Sequence, residues 1–279
     1  MQNFILYRTE DAADSINECR YSLLKLLALY NLQGPQNLHV IIYTRHPGSL
    51  EAYSSFFHHF ELIDEPAEKI SKLALVQDFF TGRKGNVLYM DNDTYPLQTP
   101  DALFDKLEGK ENFLFFGKKE SPKKLKEYIG AHHLVYDGRE INILDEKELY
   151  TAEVFGCNSE CLPVLDKAVL LEAQMKEGIS PKLAEAFTLT FATNHHEREV
   201  AENEIVSYRR FPEFKKLLQL FFLKNQEESI PNLVKLVHHL DAKKIEKEKM
   251  TYDGLPFFKK LLHSVTGKAW SVRRYQNKF

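Results

Sequence analysis

The chain has 279 residues, 43% hydrophobic and 28% charged, with a formal net charge of −3. That is enough chain to bury a sizeable core in one α/β domain with appendages, and the composition excludes a disordered protein. The charge balance gives no overall nucleic-acid footprint, so no nucleic-acid partner is expected. Lys, Glu or His interrupts every apolar stretch before it reaches the length of a membrane span. Met1-Gln2-Asn3 lacks the basic start of a signal peptide, and Arg8 breaks the apolar segment behind it. The three cysteines, Cys19, Cys157 and Cys161, cannot all pair and suggest no disulfide framework. The chain reads as cytoplasmic.

In chain order, the first predicted strand covers residues 4–7. Ser15-Ile16-Asn17-Glu18 has the Ser-x-x-Glu capping-box pattern and predicts a helix running to about Tyr30, with Ile16, Leu23, Leu24 and Leu27 on its sheet-facing side. Gln33-Gly34-Pro35 ends it. A second strand is predicted over 40–43, a turn at Arg45-His46-Pro47-Gly48, a short helix near 50–57 and a strand near 60–63. Residues 67–80 carry apolar residues at helical spacing, and Gly82 and Gly85 then precede a buried strand over 87–90. Strands alternating with helices argue a parallel sheet with covering helices. Further on, 113–117 reads as a strand, 141–144 is ambiguous, and 154–157 is a short strand entering a helix that ends near Met175. Residues 181–193 pattern weakly as helix, and 214–223 is apolar and aromatic.

Val87-Leu88-Tyr89-Met90-Asp91-Asn92-Asp93-Thr94-Tyr95-Pro96 is the most informative stretch. Its unbroken apolar run suits a strand buried on both faces, and Pro96, which cannot donate to a ladder, marks the end of the element. Asp91 and Asp93 therefore fall at the carboxyl end of a strand, where open α/β sheets bind ligands. Alternate residues of an extended chain point the same way, so both carboxylates can face one hard cation. Mg²⁺ or Mn²⁺ takes such oxygen ligands and bridges substrate phosphates, which is the chemistry of a metal-bound nucleotide. An EF-hand is disfavoured because Pro96 stands where its loop needs glycine.

The order helix, glycine turn, buried strand, Asp-x-Asp, aromatic, proline resembles the GT-A-type nucleotide-diphospho-sugar glycosyltransferases, in particular the family of glycogenin and bacterial galactosyltransferases. The resemblance spans roughly residues 1–245 and is specific around 72–99. It implies a mixed, mainly parallel sheet flanked by helices, a divalent metal held by Asp91 and Asp93, and Asn92 near the donor ribose. A third ligand is implied in Val237-His238-His239-Leu240-Asp241-Ala242-Lys243-Lys244, which resembles the family's His-x-x-Gly-x-x-Lys motif with Asp241 where glycine is expected. His238 is then the ligand, His239 the runner-up, and Lys244 the charge that neutralises the leaving diphosphate. Glu202-Asn203-Glu204-Ile205-Val206-Ser207 resembles the segment that holds the donor sugar, which puts Glu202 on sugar hydroxyls and Asn203 near the anomeric carbon. If the enzyme inverts, Glu202 or Glu204 is the candidate base. Lys72 matches a basic residue near the nucleotide, and Tyr7 and Thr9, just past strand one, are nucleoside-pocket residues by position. Phe155-Gly156-Cys157-Asn158 matches the acceptor-side strand end, with Glu153 and Cys157 departing from its pattern.

The pairs His58-His59, His132-His133 and His195-His196 read as structural, because adjacent imidazoles diverge too far to chelate one ion. Cys157 and Cys161 lack the second pair of a zinc site. Residues 1–250 form the expected glycosyltransferase domain. Residues 251–279 form a helical, basic, amphipathic appendage, in which six Lys/Arg from Tyr252 onward stand against Asp253 alone. Such a tail can lie on the anionic inner face of a membrane as a peripheral contact. The expected activity is metal-dependent sugar transfer from a nucleotide-diphosphate donor to the hydroxyl of a glycan or lipid-linked saccharide. Two alternatives stay open: a sugar-nucleotide nucleotidyltransferase, which Arg8-Thr9-Glu10-Asp11 does not favour because it lacks a glycine-rich phosphate loop, and a non-catalytic nucleotide-sugar-binding module.

Overall fold

The computed structural model describes residues 1–65, 70–108, 112–115, 118–119, 134–141, 149–175, 181–201, 204–207 and 212–239. The basic tail, Glu202, Asn203 and Lys244 lie outside the described residues.

The first half alternates strand and helix: β1 (Asn3–Arg8), α1 (Ala13–Leu29), β2 (Leu38–Thr44), β3 (His59–Asp64), α2 (Lys72–Thr81) and β4 (Asn86–Asp91), with 3₁₀ turns at Pro47–Ser49 and Glu51–Phe56 between β2 and β3. Then come β5 (Thr94–Pro96), α3 (Asp101–Asp105), β6 (Phe113–Phe115), β7 (Lys118–Lys119), β8 (Leu134–Tyr136), β9 (Arg139–Ile141), β10 (Leu149–Tyr150) and β11 (Val154–Asn158). The rest comprises α4 (Leu162–Gln174), α5 (Pro181–Ala192), β12 (Arg198–Val200), β13 (Ile205–Ser207), α6 (Pro212–Lys224) and α7 (Ile230–His239). Among the described residues no helix is long and apolar enough to cross a membrane.

Seven of these strands form one sheet in the order β12-β6-β11-β4-β1-β2-β3. β3, β2, β1 and β4 run parallel, β11 is antiparallel to both its neighbours, and β12 is parallel to β6. The mixed, mainly parallel sheet flanked by helices that the sequence implied is what the structure shows. From β1 the chain winds outward to β2 and β3, then returns to place β4 on the other side of β1. The strand order therefore reverses between β1 and β4, and the carboxyl ends there, Arg8 and Asp91, are register partners.

Alternation along the central strands feeds two separate cores. Ile5, Tyr7, Val40, Ile42, Leu88 and Met90 point to the layer of α1, α6 and α7. Phe4, Leu6, Ile41, Tyr43, Val87 and Tyr89 point to the layer of α2, α4 and α5. Successive side chains of a strand face opposite sides, and here both sides are covered, which is why these strands read as unbroken apolar runs.

Two helix starts differ from the expectation. α1 begins at Ala13, with Ala12 as an N-cap that makes no side-chain bond, so Ser15 is inside the helix and caps nothing. The Ser15 hydroxyl instead accepts the Glu10 backbone N–H at 2.7 Å and bonds the Asn92 side chain. α2 begins at Lys72, inside the 67–80 stretch, and is capped by Ser71, whose side chain accepts the Ala74 N–H at 3.2 Å. The helix α7 was not anticipated; its buried face of Ile230, Leu233, Val234 and Val237 joins the core over α1.

Candidate active site

The reversal point between β1 and β4 opens into a cleft of about 660 Å³. Its floor is Arg8 at the end of β1, with Tyr89, Asp91, Asn92 and Asp93 at the end of β4. One wall is the first turns of α1 (Asp14, Ser15, Glu18) with Lys215 of α6; the other is the N-terminus of α2 (Ser71, Lys72) with Glu172 of α4 and Glu185 of α5. Asp91, Asn92, Asp93 and Lys72 are thus brought together as expected from the sequence.

The Asp91-Asn92-Asp93 turn is fixed from several directions. The Asp91 backbone N–H donates to the Glu153 carbonyl at 2.8 Å, and the Thr94 hydroxyl donates back to the Asp91 carbonyl. Asn92 Nδ2 donates to the Ser15 carbonyl at 3.0 Å as well as to its hydroxyl, tying the turn to α1. With its own side chain committed there, Asn92 orients the loop.

Lys72 dominates the α2 wall. Its ammonium lies 2.6 Å from Asp91 Oδ1 and 2.8 Å from Oδ2, so it bridges both oxygens of the carboxylate. It also reaches the Ala152 carbonyl at 3.4 Å and Glu185 Oε2 at 3.8 Å. Burial alone would lower its pKa, but Asp91 and then Glu185 outweigh burial and hold it above the ordinary lysine value. On the opposite wall Lys215 pairs with the almost fully buried Glu18 at 3.0 Å. Burial pushes the Glu18 carboxyl up to about 7 against the pull of Lys215, with Asp93 and Asp14 adding to the rise. Glu172 is likewise raised to about 7, by burial first, against its bond from Ser71. Arg8 is engaged by an ion pair with Glu65 and a bond to the Ile70 carbonyl.

Among the described residues, seven acidic side chains line the cleft (Glu10, Asp14, Glu18, Asp91, Asp93, Glu172 and Glu185) against three basic ones (Arg8, Lys72 and Lys215). Such a cleft attracts cations and repels an unaccompanied anion. No group of three or more His, Cys, Asp or Glu side chains among the described residues is arranged to hold a metal by itself. Two carboxylates completed by water and substrate phosphates are, however, a normal site for Mg²⁺, so the donor set present fits a hard divalent ion that arrives with its substrate.

Other residues singled out in the sequence lie elsewhere. Tyr7 is fully buried with its hydroxyl 2.9 Å from Ser22 Oγ, facing α1, and does not line the cleft. Thr9 is buried, its backbone N–H donating to the Tyr43 carbonyl at 2.9 Å. His238 is exposed near the end of α7 and is not among the residues lining the cleft. Gly156 and Cys157 sit in the middle of the sheet on β11. His59 stacks on His39 at 4.0 Å across the edge strands, and His196 meets the Phe113 ring edge-on. Conversely, Glu18, Glu172, Glu185 and Lys215 were not foreseen. Glu185 did carry a signal, as the only charge within an otherwise apolar Leu183–Phe187 stretch. Glu18 was masked by its place in an apparent capping box.

No protein-family model matches the chain, and no curated protein sequence matches it. Solved structures to which it is similar include the apo form of the glycosyltransferase GlyE of Streptococcus pneumoniae TIGR4, at 13% identity and TM-score 0.46 over 72% of this chain and 46% of that one. Mouse xyloside xylosyltransferase 1, also apo, aligns at 11% identity and TM-score 0.41 over 72% of this chain and 84% of that one. An active-site mutant of LgtC aligns at 12% identity and TM-score 0.46 over 67% and 70%. The chain spans about half the length of the GlyE structures it matches. A likeness of this size carries no weight on activity, which has to be read from the cleft.

Proposed function

We propose that the protein is a GT-A-type glycosyltransferase that moves a sugar from a nucleotide-diphosphate donor to an acceptor hydroxyl, with Mn²⁺ or Mg²⁺ as cofactor. The observation that carries this reading is the position of Asp91 and Asp93: at the carboxyl end of a parallel strand, where the strand order reverses, on the floor of an acidic cleft. A cleft of about 660 Å³ is of the size that takes a nucleotide-sized ligand. A divalent ion bound at the two aspartates would offset the charge that develops on the departing diphosphate. Asp91 and Asp93 supply its protein oxygens, Asn92 fixes the loop that carries them, and Lys72 and Lys215 place positive charge on opposite walls. Glu202, Asn203 and Lys244 keep the donor-sugar and leaving-group roles implied by resemblance. A glycan or lipid-linked saccharide is the acceptor class.

The test is thermal unfolding across a panel of nucleotide-sugars, with and without Mn²⁺. A donor at about 100 times its Kd stabilises the native state by about 2.7 kcal/mol, a rise in Tm of about 5 °C or more for a chain of this size. The rise is expected only when Mn²⁺ is present, and Asp91→Asn or Asp93→Asn should remove it without unfolding the protein. If no nucleotide-sugar shifts Tm, or both variants bind donor as wild type does, the reading fails. Release of pyrophosphate from a nucleoside triphosphate and a sugar phosphate would move the protein to the nucleotidyltransferases.

A further inference from the structure

We propose that Lys72 is a built-in competitor for the cofactor: its ammonium holds both oxygens of Asp91 until a divalent cation displaces it onto Glu185. The inference rests on the metal-dependent reading above and adds to it a residue that sets how tightly, and in what order, the ion is taken up.

The geometry leaves little alternative for Asp91. Both carboxylate oxygens lie within 2.8 Å of one ammonium, and the two side chains are only 12% and 11% exposed. Each oxygen keeps a further lone pair, so the competition is one of charge: the ammonium already supplies the positive charge that a metal would bring to this carboxylate. Two like charges would also share one carboxylate in a poorly screened site, so ammonium and divalent ion exclude each other there. The second seat for the ammonium is already present. Glu185 Oε2 is 3.8 Å from Lys72 Nζ, and Glu185 Oε1 accepts the Lys72 backbone N–H at 3.2 Å. Glu185 is thereby held beside Lys72 whichever way the side chain points, and Glu172 lines the same wall. A change of side-chain rotamer therefore moves the positive charge from the floor of the cleft to its wall without leaving it unpaired.

Two consequences follow. In metal-free protein Lys72 neutralises a carboxylate that would otherwise be buried without a counter-charge, so it supports the fold. In the presence of metal it lowers the apparent affinity by the fraction of molecules in which Asp91 is free, as for any ligand whose competent state is a minor one. The divalent ion is then taken up well only together with a donor, whose diphosphate adds oxygens that the ammonium cannot supply.

The experiment is Mn²⁺ binding to the full chain without nucleotide, followed by the electron paramagnetic resonance signal of free Mn²⁺, in wild type, Lys72→Met and Lys215→Met. Both variants delete one positive charge from the same cleft, but Lys215 pairs with Glu18 and not Asp91, so their difference separates competition from bulk charge. Lys72→Met should bind Mn²⁺ at least about tenfold more tightly than Lys215→Met. It should also unfold at a lower temperature than wild type without metal and recover with Mn²⁺. Equal affinities in the two variants, or weaker binding in Lys72→Met than in wild type, overturn the proposal while leaving the metal reading intact. No Mn²⁺ binding to Lys72→Met without nucleotide overturns the proposal, and the metal reading falls with it only if none of the three proteins binds Mn²⁺ when nucleotide-sugar is added. Should Lys72→Met fail to fold by circular dichroism, Lys72→Gln is judged by the same criteria, since its amide cannot supply the positive charge.

Discussion

Glu18→Gln should remove the part of the pH dependence of stability that Glu18 imposes. The Glu18 carboxyl is 4% exposed and titrates near 7 in the folded chain, because burial outweighs its ion pair with Lys215 while Asp93 and Asp14 raise it further. Its ordinary value is 4.5. Between those two values the folded state keeps a proton that the unfolded state has already lost. The stability associated with that proton is therefore fully present below about pH 4.5 and is lost as pH rises through about 7. The displacement from 4.5 to about 7 corresponds to roughly 3 kcal/mol lost above neutrality. Glutamine carries no titratable proton, and its amide oxygen can still accept from the Lys215 ammonium. The assay is urea unfolding of wild type and variant at a series of pH values from 4 to 8. Taking the difference between the two proteins cancels Glu172, which titrates in the same range. The stability of the variant relative to wild type should climb by roughly 3 kcal/mol across the series, with most of the change between pH 5 and 7. A difference that stays level to within about 0.5 kcal/mol, or that falls with pH, would refute the assignment of Glu18 as the buried, proton-retaining carboxyl of this cleft.

Two further changes probe the scaffold and the metal set. Gly85→Ala should destabilise the protein by about 2–4 kcal/mol in urea unfolding: Gly85 has φ +150°, and a Cβ there would meet the Gln2 carbonyl oxygen and, at 2.8 Å, the Phe4 ring. Relief by shifting Gln2 is opposed because the same carbonyl accepts the Asn86 N–H at 2.9 Å, so a loss under about 1 kcal/mol would refute the close approach of Gly85 to the start of β1 as a constraint. His238→Ala should leave the Mn²⁺ midpoint for donor binding unchanged, since His238 is exposed and off the cleft. A tenfold weakening would restore it as the third ligand.

What was readable in the sequence was whatever is encoded over a few adjacent residues. The strands β1, β2 and β4 are buried on both faces, so nearly every position is apolar and each run announces itself. The end of β4 is equally local: Met90 is core, Asp91 is cleft, and Pro96 closes the next short strand, all within seven residues. The helix α7 escaped because the expected metal motif drew its last residues into a different account. The apolar face of Ile230, Leu233, Val234 and Val237 has plain helical spacing.

Apart from Lys72, the walls of the cleft were not readable, and Ser15 with Glu18 shows why. Ser-x-x-Glu is the pattern of a capping box, in which the two side chains would satisfy the backbone at the start of a helix. In the folded protein α1 starts earlier, and that leaves both side chains for longer-range work. Ser15 joins the turn of Asn92 to α1, and Glu18 pairs with Lys215 from a helix near the other end of the chain. Nothing within four residues distinguishes the two uses, because the distinction is made by what packs beyond them. Lys72 was expected near the nucleotide only through resemblance, since on its own helix it is an ordinary first-turn lysine, and its hold on Asp91 was not expected. It becomes significant only because β1 and β4 are paired so that Asp91 lies under α2, and because α5 brings Glu185 to its other side. The aspartates could be recognised as candidate ligands from seven residues. Whether they are free to act as ligands depends on a lysine and a glutamate that only the assembled sheet brings to them.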